Sequence, residues 1–220
     1  MSTSVRRADA GDGVFIVGLV GRAGSGKTTV ARVLEADGAR ILEADRMGHE
    51  VTDRDPEVRA ALAAEYGADI YGPDGALDRA RVAARVFSDP AARARLNELV
   101  HPRIVALIRD AIVALIRDGW RGVVVVDAAL MLDWRLERAC DAVLAVVAPE
   151  DVQLARLLES RGWSAAEARA RLKAQRTNEE YARAADVVLE NRGSPEALAT
   201  SSRAAVRRLR EAREARAKAR

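Results

Sequence analysis

Gly21-Arg-Ala-Gly-Ser-Gly-Lys-Thr28 spells a G-x-x-x-x-G-K-[ST] loop directly after the apolar run Val14 to Val20. The chemistry open to such a loop is the holding of phosphates. Glycines at 21, 24 and 26 can take backbone angles closed to other residues, so successive N–H groups can turn inward on an anion. The candidate contacts to a nucleoside triphosphate are therefore Gly21, Gly24, Ser25, Gly26, Lys27, Thr28 and Thr29. Lys27 reaches for the outer phosphates, Thr28 offers a hydroxyl to Mg²⁺, and the helix opening at Lys27 points its positive end at the same charge. Only three of the 36 basic residues are lysines, so a lysine at this position does not come from composition.

Other chemically able residues fall where further apolar segments end. Asp45 follows the second segment, where a carboxylate can pair with Arg46 or cap the next helix. Asp127 closes the third, either as a ligand of Mg²⁺ through water or as a packed strand terminus. Asn191 and Gly193 follow the fifth, at the edge of an adenine or in a simple turn.

The elements that must position these residues read as an α/β fold. Val14 to Val20, Ala39 to Glu43, Gly122 to Asp127, Ala142 to Ala148 and Asp186 to Glu190 are short β-branched or aliphatic runs bounded by Gly, Pro and Asp. Helical stretches separate them, which predicts a doubly wound parallel sheet of five strands with right-handed crossovers. Ligands of such sheets sit beyond the carboxyl ends of the strands, where the candidate residues converge.

Between Gly48 and Gly119 the strand pattern gives way to helix starts at Asp55-Pro56, Asp78, Ser88-Asp89-Pro90 and His101-Pro102. Positions 104, 108, 112 and 116, with 107, 111 and 115, form one apolar face opposite Arg109, Asp110, Arg117 and Asp118. The spacing predicts a helical insertion over 48–119 that holds the acceptor. Glu150 to Ala184 reads as a second helical region, opened by Pro149 and rich in arginine. Within it Ser164-Ala-Ala-Glu167 predicts a capping box, and position predicts a lid over 150–184.

Composition sets the outer limits. With 220 residues and 49% hydrophobic content, the chain can build one domain with an insertion or a small lobe. The single Cys140 excludes an internal disulfide, and two histidines 52 positions apart argue against a histidine-based metal site. No run is long enough to span a membrane, and the polar residues 1–13 read as a flexible tail, so the expected location is the cytoplasm. Eight basic and two acidic residues fall in 203–220, which leaves residues 1–202 at net −3. This basic tail reads as a solvated helix end; with no aromatic to stack a base, nucleic acid is not the expected partner.

Several ordered stretches resemble the dephospho-coenzyme A kinases. They are Gly-Ser-Gly-Lys-Thr-Thr-Val-Ala (24–31), Glu-Ala-Asp-Arg (43–46), Asp-Gly-Ala-Leu-Asp-Arg (74–79), Val-Phe-Ser-Asp-Pro (86–90), Leu-Asn-Glu-Leu-Val-His-Pro (96–102), Gln175, Ala185-Asp186 and Asn191-Arg-Gly-Ser. The resemblance implies a P-loop core formed by 14–47, 120–149 and 185–202, a helical coenzyme-A-binding region and an arginine-bearing lid. It also implies transfer of the γ-phosphoryl of ATP, with Mg²⁺, to the ribose 3′-hydroxyl of dephospho-coenzyme A. Asp45 then matches the proton-accepting carboxylate. Glu43, Arg46, His101, Pro102, Asp127 and Leu130 become candidate acceptor contacts, and the protein is expected as a monomer or weak homo-oligomer.

The departures are specific. Glu43 stands for an aspartate, and the two-residue spacing places it on the same strand face as Asp45; Ala129 and Asp133 stand for Pro and Glu after the third strand. Ser160 replaces an arginine of the lid, which leaves Arg156 or Arg161 to meet the phosphates, and Tyr181 stands where a basic residue is common. Three other functions stay open at this level: a different P-loop nucleoside or nucleotide kinase, a nucleotide-binding module without transfer activity, and an ATP-dependent nucleic-acid protein using the basic tail.

Overall fold

The computed structural model describes residues 13–86 and 89–218, without the side chains of Arg161 and Ala217. The expected N-terminal tail, apart from Gly13, and the Phe87-Ser88 pair lie outside the described residues. Two compact units are formed, one from the chain up to Leu42 and from Ala114 onward, the other from Glu43 to Val113.

The first unit holds five strands: β1 (Val14–Val20), β2 (Arg40–Glu43), β3 (Gly122–Asp127), β4 (Ala142–Val147) and β5 (Val187–Glu190). Their order is β2-β3-β1-β4-β5. Pairing of β1 with β3 and β4, and of β4 with β5, is parallel, with Leu19 opposite Asp127. All seven residues of β1 are buried, as a central strand covered on both faces requires. Two aspartates pin the entrance of the sheet: Asp141 accepts from Ile16 N–H and Asp186 from Val143 N–H, each at 2.8 Å. Such bonds satisfy strand donors that precede the regular ladder.

Helices α1 (Lys27–Ala36) and α9 (Pro195–Lys218) pack together over one side of this sheet. Leu34, Leu144, Leu189, Val206 and Leu209 belong to the shared core. Residues 203–218, read as part of a basic tail, therefore belong to a core helix, because Ala205, Val206 and Leu209 are buried at helical spacing. Between β4 and β5 come α6 (Glu150–Arg161), α7 (Ala165–Lys173) and α8 (Asn178–Ala184). The Ser164–Glu167 capping box is present, and Thr177 with Glu180 forms a second one.

In the second unit, α2 (Ala44–Arg54) starts as soon as β2 ends, followed by α3 (Pro56–Tyr66), α4 (Arg79–Val86) and α5 (Pro90–Arg117). Asp55 caps α3 and Asp89 caps α5, as their positions ahead of prolines predict. Tyr66 hydroxyl donates to the Ala92 carbonyl at 2.6 Å and joins α3 to α5. Two expectations are corrected here. Asp45 does not extend a strand beside Glu43; it lies in the first turn of α2, where helix-forming Glu, Ala, Arg and Met prevail and an acid suits the positive helix end. Nor does His101-Pro102 start a helix. α5 runs through Pro102, and burial of Val100, Ile104, Ile108 and Ile112 along one face outweighs the ~3 kcal/mol a helical proline costs.

Candidate active site

Each phosphate-loop feature follows from its neighbours. Gly24 has φ 75° and Gly26 φ 100°. A Cβ at Gly24 would lie 2.7 Å from the Gln153 carbonyl oxygen, and one at Gly26 would run into the Asn191 side-chain amide. Both the dihedral and the space exclude a side chain at these positions. Gly26 caps α1 with no side-chain bond, and no acid sits in the first turn. The first turn of α1 thus carries no acid of its own against the positive helix end, which suits a phosphate.

The loop carbonyls are held from outside. Arg156 of α6 donates to the Gly24 carbonyl at 3.1 Å and lies 3.5 Å from that of Ser25; its second Nη donates to Asn191 Oδ1 at 3.3 Å. Asn191 Nδ2 donates to the Ser25 carbonyl at 2.8 Å. Both carbonyls are thus tied down, while the Ser25 N–H turns back on the Arg22 carbonyl at 3.1 Å. Arg156 and Asn191, expected beside the phosphates and the adenine, also brace the loop. Gly193 is exposed between β5 and α9.

Lys27 Nζ pairs with the Asp127 carboxylate, and both side chains are mostly buried. The pair forms because β3 lies beside β1 and Asp127 ends it level with Leu19, one residue before Val20 closes β1. Thr28 and Thr29 are exposed in the first turn of α1. Thr28 hydroxyl and Asp127 carboxylate are oxygen donors of the hard type that Mg²⁺ selects, so the donor set fits that ion. Among the described residues no cluster of three or more His, Cys, Asp or Glu forms a metal site. Burial pushes the Cys140 thiol up to about 12, with Asp141 and Glu137 adding to the effect, so thiolate chemistry has no place here.

Three departures from the resemblance meet in one place. Asp133, in the position of the expected glutamate, accepts from Arg176 at 2.7 Å, while the Tyr181 hydroxyl lies 3.5 Å from the Ala129 carbonyl. Burial raises the Tyr181 phenol above its usual value, and the Asp133 charge reinforces the shift. Leu130, next to Ala129, is an exposed large apolar side chain.

The remaining candidates belong to the second unit. Glu43, Asp45 and Arg46 are exposed around the start of α2. His101 is half-buried inside α5, where burial lowers its pKa below the ordinary histidine value, and Pro102 beside it is exposed. Arg161 closes α6, but its side chain is outside the described residues. The first unit brings together Gly24, Ser25, Gly26, Lys27, Asp127, Arg156 and Asn191 through direct bonds or close approach. Sequence reasoning missed Arg22 and Gln153. Arg22 fills a variable position of the loop pattern, and Gln153 carries no motif, yet both side chains are buried and the Gln153 backbone closes against Gly24.

A parallel sheet with a glycine loop joining its central strand to α1, and a lysine drawn to the acid that ends the neighbouring strand, defines a P-loop nucleotide-binding protein. The family profile described as dephospho-CoA kinase matches residues 15–196, and the chain belongs to that family. It is 40% identical over 184 residues to the dephospho-CoA kinase of Anaeromyxobacter dehalogenans, covering 84% of this chain and 87% of that protein. It is 42% identical over 195 residues to that of Deinococcus radiodurans, covering 88% and 91%. Among solved structures, one from Thermus thermophilus superposes with a TM-score of 0.77 at 31% identity, over 89% of this chain and 97% of that one. The dephospho-CoA kinase of Campylobacter jejuni shares the fold, with a TM-score of 0.59 at 20% identity and the same coverage.

Proposed function

We propose that the protein transfers the γ-phosphoryl group of ATP to the ribose 3′-hydroxyl of dephospho-coenzyme A, giving coenzyme A and ADP. The observation that carries this reading is the braced phosphate loop with Lys27 at its end, in a chain that belongs to the dephospho-CoA kinase family. The loop N–H groups and the start of α1 bind the triphosphate. Lys27 exchanges the Asp127 carboxylate for the β- and γ-phosphates and stabilises the charge that shifts toward the leaving oxygen. Mg²⁺, held by Thr28 and through water by Asp127, would offset phosphate charge.

The acceptor contributes a hydroxyl, a weak nucleophile. Asp45 orients it and takes its proton as the 3′-oxygen-to-phosphorus bond forms and the bond from phosphorus to the β–γ bridging oxygen breaks. Glu43, Arg46, His101, Pro102 and Leu130 are assigned to the acceptor, and Arg156 and Arg161 to the lid side of the triphosphate. In this reading the enzyme is cytoplasmic, acts as a monomer or weak homo-oligomer, and uses neither nucleic acid nor membrane. Incubation with Mg-ATP and dephospho-coenzyme A tests it: coenzyme A and ADP are expected in equal amounts. Absence of coenzyme A while both ligands bind would reject transfer and leave a nucleotide-binding module.

A further inference from the structure

Arg22, the first variable residue of the phosphate loop, is buried, at 7% exposed. Its Nη1 donates to Glu150 at 3.1 Å, in the opening turn of α6, and its Nη2 donates to the Leu172 carbonyl at 2.6 Å, in the last turn of α7. The next residue repeats the attachment. Ala23 N–H donates to Gln175 Oε1 at 2.9 Å, and the Ala23 methyl packs against the small core of Leu157, Ala168 and Leu172 that joins the two helices. Arg156 holds the Gly24 carbonyl from the same hairpin.

Burying a guanidinium is costly, and the Arg22 Nε has no partner. A surface loop has no need of such a group for solubility or packing. The arrangement does, however, fix where the first half of the loop stands. With the Ala23 and Ser25 N–H groups engaged by Gln175 and the Arg22 carbonyl, donors for an anion are concentrated at the Gly26 end, where α1 begins.

We infer that Arg22 is a positioning residue for the triphosphate, tying the phosphate loop to both helices of the α6–α7 hairpin so that ATP affinity depends on this clamp. The inference rests on the reading that the loop binds ATP. It extends that reading to a residue that touches no ligand, and to Gln175 as its partner in the task.

The test uses the full chain with Arg22→Met, Arg22→Lys and Gln175→Ala. Affinity for a non-hydrolysable ATP analogue is measured by calorimetry, together with KM for ATP, KM for dephospho-coenzyme A and the melting temperature. Loss of the buried charge-assisted bond in Arg22→Met is expected to raise Kd and KM for ATP by about tenfold while KM for the acceptor changes by less than about twofold. Arg22→Lys keeps a cation and should recover part of the loss. Gln175→Ala should shift ATP affinity in the same direction. Wild-type ATP affinity in Arg22→Met, with only a lower melting temperature, would overturn the inference by reducing Arg22 to a packing role. If Arg22→Met does not fold, unchanged ATP affinity in Gln175→Ala overturns it instead. A wild-type protein that binds no ATP analogue rejects the reading of the loop itself, a separate outcome.

Discussion

Two residues divide the work of binding from the work of transfer. Lys27 is fixed by backbone context: it opens α1 directly after Gly26, and its ammonium already meets an acid at the edge of the sheet. Removing it takes charge from the triphosphate and leaves Asp127 mostly buried without its cation, so Lys27→Ala should weaken ATP binding and turnover together. Asp45 lies in a different unit, exposed in the first turn of α2. Asp45→Asn keeps size and polarity but cannot accept a proton. Turnover is expected to fall roughly 10²- to 10⁴-fold with ATP affinity within about twofold of wild type. Calorimetry with an ATP analogue and steady-state coenzyme A formation read the two effects separately; an Asp45→Asn enzyme near wild-type turnover would remove the carboxylate from the mechanism. The loop and its lysine are legible in sequence because their spacing is local. What sequence could not reveal is that Arg156 and Asn191 grip the loop's carbonyls, since those contacts close over 131 to 166 positions of chain.

Among the elements, the strands were legible nearly to the residue. β1 and β3 end where the apolar runs end, because a strand buried on both faces cannot tolerate a polar interior. Helix boundaries were read well where an aspartate precedes a proline and poorly where packing decides, as at Pro102. The second capping box, Thr177 with Glu180, carries the same pattern as Ser164 with Glu167 and was legible but unread. α5 illustrates what a packing-driven helix implies for pH. His101 sits within it, and burial holds its pKa below the usual histidine value of 6.5. In the unfolded chain the imidazole takes its proton at the usual value, whereas in the folded chain it resists. Below about pH 6.5 the unfolded state therefore binds more protons, and stability falls as pH drops; above that value both states are neutral at this site and its effect vanishes. Urea midpoints at pH 7.5 and 5.5 should show a larger loss on acidification in the wild type than in His101→Gln. Equal losses would mean that His101 titrates alike in both states.

At the scale of the whole molecule, the last helix changes the meaning of the chain's charge. Its arginines read in sequence as a basic tail, but several already meet acids: Arg203 pairs with Asp37, Arg210 with Glu214 and Arg213 with Asp141. Arg213 also donates to the Val14 carbonyl at 2.9 Å and lies over the Phe15 ring, so α9 closes the entrance of the sheet through the residue that begins its central strand. Composition hid this because charge dominates the window from 203 to 218, while Ala205, Val206 and Leu209 face the core. Deleting residues 203–220 should thus unfold the first unit instead of removing a docking arm. The sharper test is a single atom group. Leu209→Ala leaves a cavity in a core shared by α1, β4 and β5 and is expected to cost about 2–5 kcal/mol, whereas Arg207→Ala, which removes an exposed side chain from the same helix, should stay within about 0.5 kcal/mol. Urea unfolding of both variants separates the two accounts of this segment: a solvated appendage predicts two small effects, and an α9 built into the core predicts one large and one small.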